Sequence, residues 1–286
     1  MARVDTRNRT RFWQDPAVPG LSLLHADFAG HDYAPHSHDA LVVAVTEVGG
    51  AEFTSRGATQ EALVRHVLVF NPDEPHSGRM ARSRRWRYRS LYLDERAIAG
   101  VAARVGLAGT PYFTTNLLSD PGLADRFLAV HRARDDAGDG LRADELLVAA
   151  FGLLIGRHGG RRSTIPPAPR DAAALARAIA TMRDRHAEPL TLDGICGPLG
   201  FTPFQLIGLF KRGTGLTPHA YLTQVRLRAA ARRMAEGMAI AEAALASGFY
   251  DQSALTRHFK RSYGITPLQY LRGGARPPVP GTKVQS

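Results

Sequence analysis

The chain has 286 residues, with 37 Lys or Arg against 26 Asp or Glu, giving a formal net charge of +11. Its length suits about two domains with buried cores, and its 44% hydrophobic and 22% charged residues exclude a wholly disordered chain, a collagen and a multispan membrane protein. There is no run of about 18 apolar residues and no apolar core of a secretory signal, and a lone cysteine, Cys196, cannot form an intramolecular disulfide, so a reducing cytoplasm is the expected setting.

Residues 1–20 show little periodicity and are expected to be partly loose. Residues 21–92 read as β structure, with short runs rich in β-branched and aromatic residues: LSLLHADF, LVVAVTEV, AEFTSRG, HVLVF and WRYRSLYL. Turn chemistry at Gly49-Gly50, Arg56-Gly57 and Asn71-Pro72-Asp73 separates them, and strands at this spacing predict a sandwich or barrel. Helical spacing follows over 94–106, 121–134 and 142–158. In the last of these, Leu146, Leu147, Ala150, Phe151, Leu154 and Ile155 form one stripe, which either packs on the domain's own barrel or makes a homodimer interface. The run Arg82, Arg84, Arg85, Arg87 and Arg89 reads as a solvated edge, with an anion or DNA contact as the sharper alternative.

RRSTIPPAPR, residues 161–170, predicts an extended linker. The expected division is a sensing domain over 1–160, this linker, a helical domain over 171–272 and a flexible tail over 273–286. Charge follows the same division. Residues 1–160 carry 19 basic and 19 acidic side chains, whereas 171–272 carry 13 basic and 7 acidic. A neutral front and a basic back predict a sensing or assembly domain joined to one that binds a polyanion.

The helical half predicts helices near 171–186, 191–199, 202–212, 218–236, 240–246, 251–262 and 267–272. It also repeats itself. Phe210-Lys211-Arg212 and Gly215-Leu216-Thr217-Pro218 recur as Phe259-Lys260-Arg261 and Gly264-Ile265-Thr266-Pro267, 49 positions on. Each copy is a short helix, a Gly-containing turn and a second helix, the arrangement that lays its second helix in the DNA major groove. In the second copy Leu255 and Phe259 are expected to face inward. Gln252, Ser253, Thr256 and Arg257 would then face out; Gln suits adenine and Arg suits guanine, while Lys260 and Arg261 suit phosphates.

These residues, with Gly248-Phe249-Tyr250-Asp251 and Tyr270, closely resemble the C-terminal region of AraC/XylS-family transcription regulators. His36-Ser37-His38, and the segment from Val69 through Pro72 to His76 and Gly78, resemble the cupin-like effector domain that accompanies it. The resemblance implies an α+β protein: an N-terminal cupin-like β-barrel with flanking helices that binds a small-molecule effector and dimerises, and a C-terminal all-α domain with two helix-turn-helix motifs that binds double-stranded promoter DNA. RNA polymerase is a further partner it brings into view. It also implies Phe204, Gln205, Ile207 and Gly208 as base-reading positions of the first module, flanked by Lys211 and Arg212.

The first module departs from the family pattern. Gly194 and Gly197 each cost about 1 kcal/mol in a helix interior, and Pro198 about 3 kcal/mol. None of Phe204, Ile207 and Gly208 supplies a charged donor. Sequence discrimination is therefore expected to fall mainly on Gln252 and Arg257. In the front half, His36, His38 and His76 can converge on a metal, but the Glu that metal cupin enzymes carry about four residues after the second histidine is missing. The expectation is a metal-free effector pocket with no cofactor, built from His36, His38, Glu74 and His76 with Trp86 and Tyr88. No nucleophile constellation, P-loop or dinucleotide loop is present, so no enzyme is expected. The alternative is a metal-dependent cupin enzyme with a degraded DNA-binding tail.

Overall fold

The computed structural model describes residues 8–30, 32–80, 83–136, 139–160, 171–263 and 266–272. The chain divides into two compact units, Met1–Pro167 and Ala168–Ser286. The expected linker 161–170, the tail 273–286, Arg82, Gly264 and Ile265 lie outside the described residues.

The first unit holds ten strands, β1 (Arg9–Gln14), β2 (Leu21–Phe28), β3 (Asp32–His36), β4 (Leu41–Gly49), β5 (Ala51–Ser55), β6 (Ala58–Ala62), β7 (Val67–Phe70), β8 (His76–Arg79), β9 (Trp86–Leu93) and β10 (Leu117–Leu118), among its described residues. They form two antiparallel sheets, ordered β1-β2-β9-β4-β7-β10 and β3-β8-β5-β6. Side chains alternate across each strand, so β4 and β9 send Val42, Ala44, Trp86 and Tyr88 into the space between the sheets, where they pack with Phe53 and Phe70. Leu41, Val43, Leu91 and Leu93 are equally buried on the opposite face.

Three helices follow the strand pattern, α1 (Glu95–Val105), α2 (Pro121–Asp135) and α3 (Gly140–His158). Asp94, Asp120 and Asp139 cap them by accepting from Ala97, Leu123 and Arg142 N–H groups. The α3 stripe is spent inside this unit: Leu147, Ala150, Phe151, Leu154 and Ile155 are all buried, with Phe151 edge-on to Phe127 of α2. Leu146, the remaining residue of the stripe, is half-buried, so the stripe packs mainly within this unit. Within the segment expected to be partly loose, residues 9–14 form β1, which pairs along its length with β2, and residues 1–7 lie outside the described residues. The side chains of β1 are mostly exposed, which erased the periodic signal.

The helix–barrel contact contains a buried polar anchor. His131 of α2 is fully buried. Its Nε2 lies 3.1 Å from the Leu24 carbonyl and its Nδ1 lies 2.9 Å from an Arg89 guanidinium nitrogen. A carbonyl only accepts and a guanidinium only donates, so this ring is the neutral Nε2–H tautomer. Glu47 in turn meets Arg89 at 3.1 Å and Arg132 at 3.0 Å. Burial, and then the charge of Arg89, push His131 down to about 4.

The second unit is helical: α4 (Ala172–Asp184), α5 (Leu192–Cys196), a 3-10 turn (Gly197–Leu199), α6 (Pro203–Thr214), α7 (Pro218–Ala235), α8 (Ile240–Ala246), α9 (Gln252–Tyr263) and α10 (Pro267–Arg272). The awkward residues of the first module explain its shape. The helix expected over 191–199 stops as an α-helix at Cys196, and Pro198 falls in the opening of the 3-10 turn, where no N–H is required of it. Cys196 is buried. Leu227, Met234, Phe249, Leu255, Phe259 and Tyr270 join α7 through α10 in one core.

Stability is expected to fall as pH drops from 6.5 towards 4. Unfolded His131 takes a proton in that window while the folded form does not, and the loss attributable to it is about 3 kcal/mol. Denaturant unfolding at several pH values checks this. His131→Asn, which still offers one donor and one acceptor, should be less stable at pH 7 and show a flatter pH slope.

Candidate effector cavity and nucleic-acid interface

A cavity of about 150 Å3 lies between the two sheets of the first unit, walled by Val42, Phe53, Leu68, Phe70, Trp86, Tyr88 and Tyr92 and reached by His36, His38 and His76. No Asp, Glu, Lys or Arg is among its lining residues. The histidine rings cluster with centroids 4.5–5.3 Å apart. Residues His36 and His76 face each other in register across β3 and β8, and the Asp73 N–H donates to the His38 carbonyl. Burial, then the neighbouring His76 and His36, push His38 down to about 4, and burial also lowers His76. Deeper in, the hydroxyls of Tyr33 and Tyr88 are 2.6 Å apart, and burial raises both phenols.

Five of the six residues expected at an effector pocket are thus brought together. Glu74 is not among them. Its carboxylate turns away and accepts from Ser55 Oγ at 3.0 Å, Arg56 Nη2 at 2.7 Å, Asn71 Nδ2 at 2.8 Å and Asn116 Nδ2 at 2.6 Å. Burial opposes its charge, but the Arg56, Asn71 and Asn116 hydrogen bonds outweigh that and hold Glu74 down to about 2. It ties the 113–116 segment to the barrel. Conversely, Tyr33 and Tyr92 line the cavity without having been singled out. Tyr92 was legible, because it continues the even-numbered face of β9 that carries Trp86 and Tyr88. Three arginines of the run pair with carboxylates: Arg89 meets Glu47, and Arg85 and Arg87 clamp Asp27, holding its carboxyl well below the usual range, with the Arg85 hydrogen bond foremost.

In the second unit α9 is anchored by Leu255 and Phe259, both fully buried. Gln252, Ser253, Thr256, Arg257, Lys260 and Arg261 line a shallow open surface on its other side, and the Asp251 carboxylate caps its start through the Ala254 N–H. The corresponding helix α6 differs. Ile207 is only 3% exposed and belongs to the core, which corrects its expected base-reading role: the α6 helical period turns it inward with Leu206 and Phe210. Phe204 and Gly208 are half-buried. The carbonyl oxygen of the Gln205 side chain accepts from the Thr202 N–H at 3.0 Å, closing a capping box with Thr202 Oγ1. The Thr-x-x-Gln spacing is the sequence mark of that box. Lys211 and Arg212 are exposed at the end of α6.

The two modules are locked through α7. Arg226 donates to the His186 carbonyl at 2.7 Å and the Glu188 carbonyl at 2.9 Å, holding the segment after α4 against the turn between α8 and α9. Gly248 in that turn has φ +84°, and a Cβ there would come within 2.5 Å of the His186 carbonyl oxygen.

The family model for the AraC-like ligand binding domain matches residues 18–151, and one for a helix-turn-helix domain matches 195–273. The chain is 27% identical over 255 residues to the HTH-type transcriptional regulator YbfI of Bacillus subtilis, covering 86% of this chain and 90% of that protein. The chain belongs to the AraC family of transcription regulators. This regulator is also 29% identical over 172 residues to the HTH-type transcriptional activator RhaR of Klebsiella pneumoniae, spanning 58% of this chain and 60% of that one. Among solved structures, a transcriptional regulator with an AraC-type DNA-binding domain from Chromobacterium violaceum is 28% identical, with a TM-score of 0.34, over 37% of this chain and 95% of that chain. As an AraC-family regulator it has a ligand-binding, cupin-like domain and a DNA-binding helix-turn-helix domain, which favours regulation over the metal-dependent enzyme alternative. No helix among the described residues is long and apolar enough to cross a membrane.

Gly248→Ala is expected to destabilise the helical unit by about 1–3 kcal/mol, through a strained positive φ and a backbone collision. Thermal unfolding should show the loss in that unit, and specific DNA binding should weaken with it.

Proposed function

We propose that the cavity between the two sheets is the effector site of this regulator and that α9 carries most of its base discrimination. The observation that carries the reading is the two-sidedness of α9, with apolar anchors wholly buried and an opposite polar and cationic face on which Gln252, Ser253, Arg257, Lys260 and Arg261 are exposed. Gln252 and Arg257 present the bidentate groups that read adenine and guanine. Lys260 and Arg261 meet phosphates. The first module contributes apolar and phosphate contacts from Phe204, Lys211 and Arg212, because Gln205 serves its own cap and Ile207 serves the core. The expected organisation, with 1–160 as effector domain, 161–170 as linker and 171–272 as DNA domain, assigns the linker to transmitting the effector's presence. An effector acts this way only by binding two arrangements of the protein with unequal affinity. The regulator acts in the cytoplasm as a homodimer, with RNA polymerase as the machinery it influences, and catalyses no reaction.

The test is binding of purified protein to selected operator and scrambled DNA at several salt concentrations. Arg257→Ala should relax preference at one base position by about 1–3 kcal/mol. Lys260→Ala should weaken both DNAs alike and reduce the salt slope by about 1. A binding motif unchanged by Arg257→Ala would overturn the role given to α9.

Ala44→Leu, on the cavity wall, is expected to abolish the effector response while leaving operator binding intact. The added bulk costs stability by about 1–3 kcal/mol. An unaltered response would place the effector elsewhere.

A further inference from the structure

We propose that the cavity between the two sheets takes an uncharged, single-ring aromatic compound bearing a hydroxyl, and that Ser90 is the residue that recognises this hydroxyl. The inference rests on the reading of the cavity as the effector site and names the class of molecule it admits.

Size sets the first limit. A volume of about 150 Å3 is that of a cavity able to accept one benzene ring. The walls suit such a guest. Trp86 and Tyr88 stack with ring centroids 4.4 Å apart, and Phe53 stands edge-on to Phe70 at 5.7 Å. Rings packed in this way offer faces and edges to a further ring, the contacts that aromatic pairs prefer.

Charge sets the second limit. No Asp, Glu, Lys or Arg lines the cavity, so a carboxylate or an ammonium entering it would leave water without finding a counter-ion, a costly transfer. The three imidazoles, crowded at centroid distances of 4.5–5.3 Å, oppose one another's protonation. An adjoining cavity that shares His38 and Tyr92 is lined by Asp15, Asp39 and Asp94, and their charges repel an anion again.

Ser90 supplies the third element. The strand register sets it opposite Leu24 of β2 and Ala44 of β4, apolar residues of the same cavity. Ser90 lines the cavity and is fully buried. Its Oγ completes no well-formed hydrogen bond, with the Tyr92 phenol as a loose neighbour. Leaving a hydroxyl in that condition costs stability, and a serine in an otherwise apolar stretch of wall has no packing role that alanine would not fill. A ligand hydroxyl both donates and accepts, so it can complete the bond that the fold leaves unmade.

The experiment is calorimetric titration of the full chain with phenol, toluene, benzoate and benzylamine, repeated on Ser90→Ala. Wild type should bind phenol about tenfold or more tighter than each of the other three. Ser90→Ala removes a buried polar atom that the fold does not use, so its thermal transition should be unchanged or higher, while its affinity for phenol should fall to that for toluene. Benzoate or benzylamine held as tightly as phenol would overturn the uncharged class. A phenol-to-toluene ratio that Ser90→Ala leaves unchanged would overturn the role of Ser90, and no binding of phenol by wild type would overturn the proposal as a whole. The effector reading fails by a different result. Phenol held by wild type and refused by Ala44→Leu, yet without effect on operator binding, would support the ligand class and overturn the cavity's part in regulation.

Discussion

Strand β9 is hydrogen-bonded along its full length to β2 on one side and to β4 on the other. That double pairing fixes which face each of its residues occupies, because a slip of one position would exchange the two faces. Its even positions, Trp86, Tyr88, Ser90 and Tyr92, all reach the cavity. Its odd positions, Arg87, Arg89, Leu91 and Leu93, meet Asp27, Glu47 and the buried opposite face. The neutral His131 reads the same register from outside, since it accepts from Arg89 of β9 while donating to Leu24 of β2. Cavity lining and helix docking are therefore two consequences of one alternation.

In the helical unit the corresponding constraint is the division of labour within each helix-turn-helix second helix. Both copies must bury an apolar edge against α7 and the neighbouring helices. In α9, Leu255 and Phe259 are the fully buried anchors, and Gln252, Ser253 and Arg257 stay exposed. In α6, Leu206, Ile207, Leu209 and Phe210 are all buried, and the one amide is drawn back to the N-terminus by Thr202. The same fold thus yields one helix with an open polar face, to which the proposal gives base reading, and one whose side chains mostly hold its place. Arg226 and Gly248 keep the pair in one geometry, and that geometry makes an unequal partnership workable.

Much of this was legible in the chain. β2 and β9 match their apolar runs residue for residue, since both faces of each carry the signal. The strands that escaped, β1, β3, β6, β8 and β10, are short, polar or at sheet edges: β6 reads ATQEA with four exposed residues, and β3 contains Pro35, which an edge strand tolerates. Helices were marked by their caps and periodicity, and the repeat located the second recognition helix directly. What spacing could not show was the direction of individual side chains. Glu74 sits two residues before His76, yet its carboxylate serves a loop on the far side. Position Ile207 was carried over from a resemblance, and only the helical phase set by Leu206 and Phe210 shows it facing inward.

The charge asymmetry also acquires a physical meaning. In the first unit many arginines are paired: Arg56 with Glu74, Arg79 with Glu52, Arg85 and Arg87 with Asp27, Arg89 and Arg132 with Glu47. Among the described residues no ion pair engages Arg257, Lys260 or Arg261 on α9. A guanidinium already held by a carboxylate must break that contact before meeting a phosphate. An open one exchanges only loosely held water and counterions, and the release of counterions from DNA then drives association. Net charge alone would have located the DNA-binding half, but it is the pairing that separates cations holding a fold together from cations available to a nucleic acid. By that criterion Arg85, Arg87 and Arg89 belong to the architecture of the effector domain, and the sparser cations of α9 are the ones the proposed interface can use.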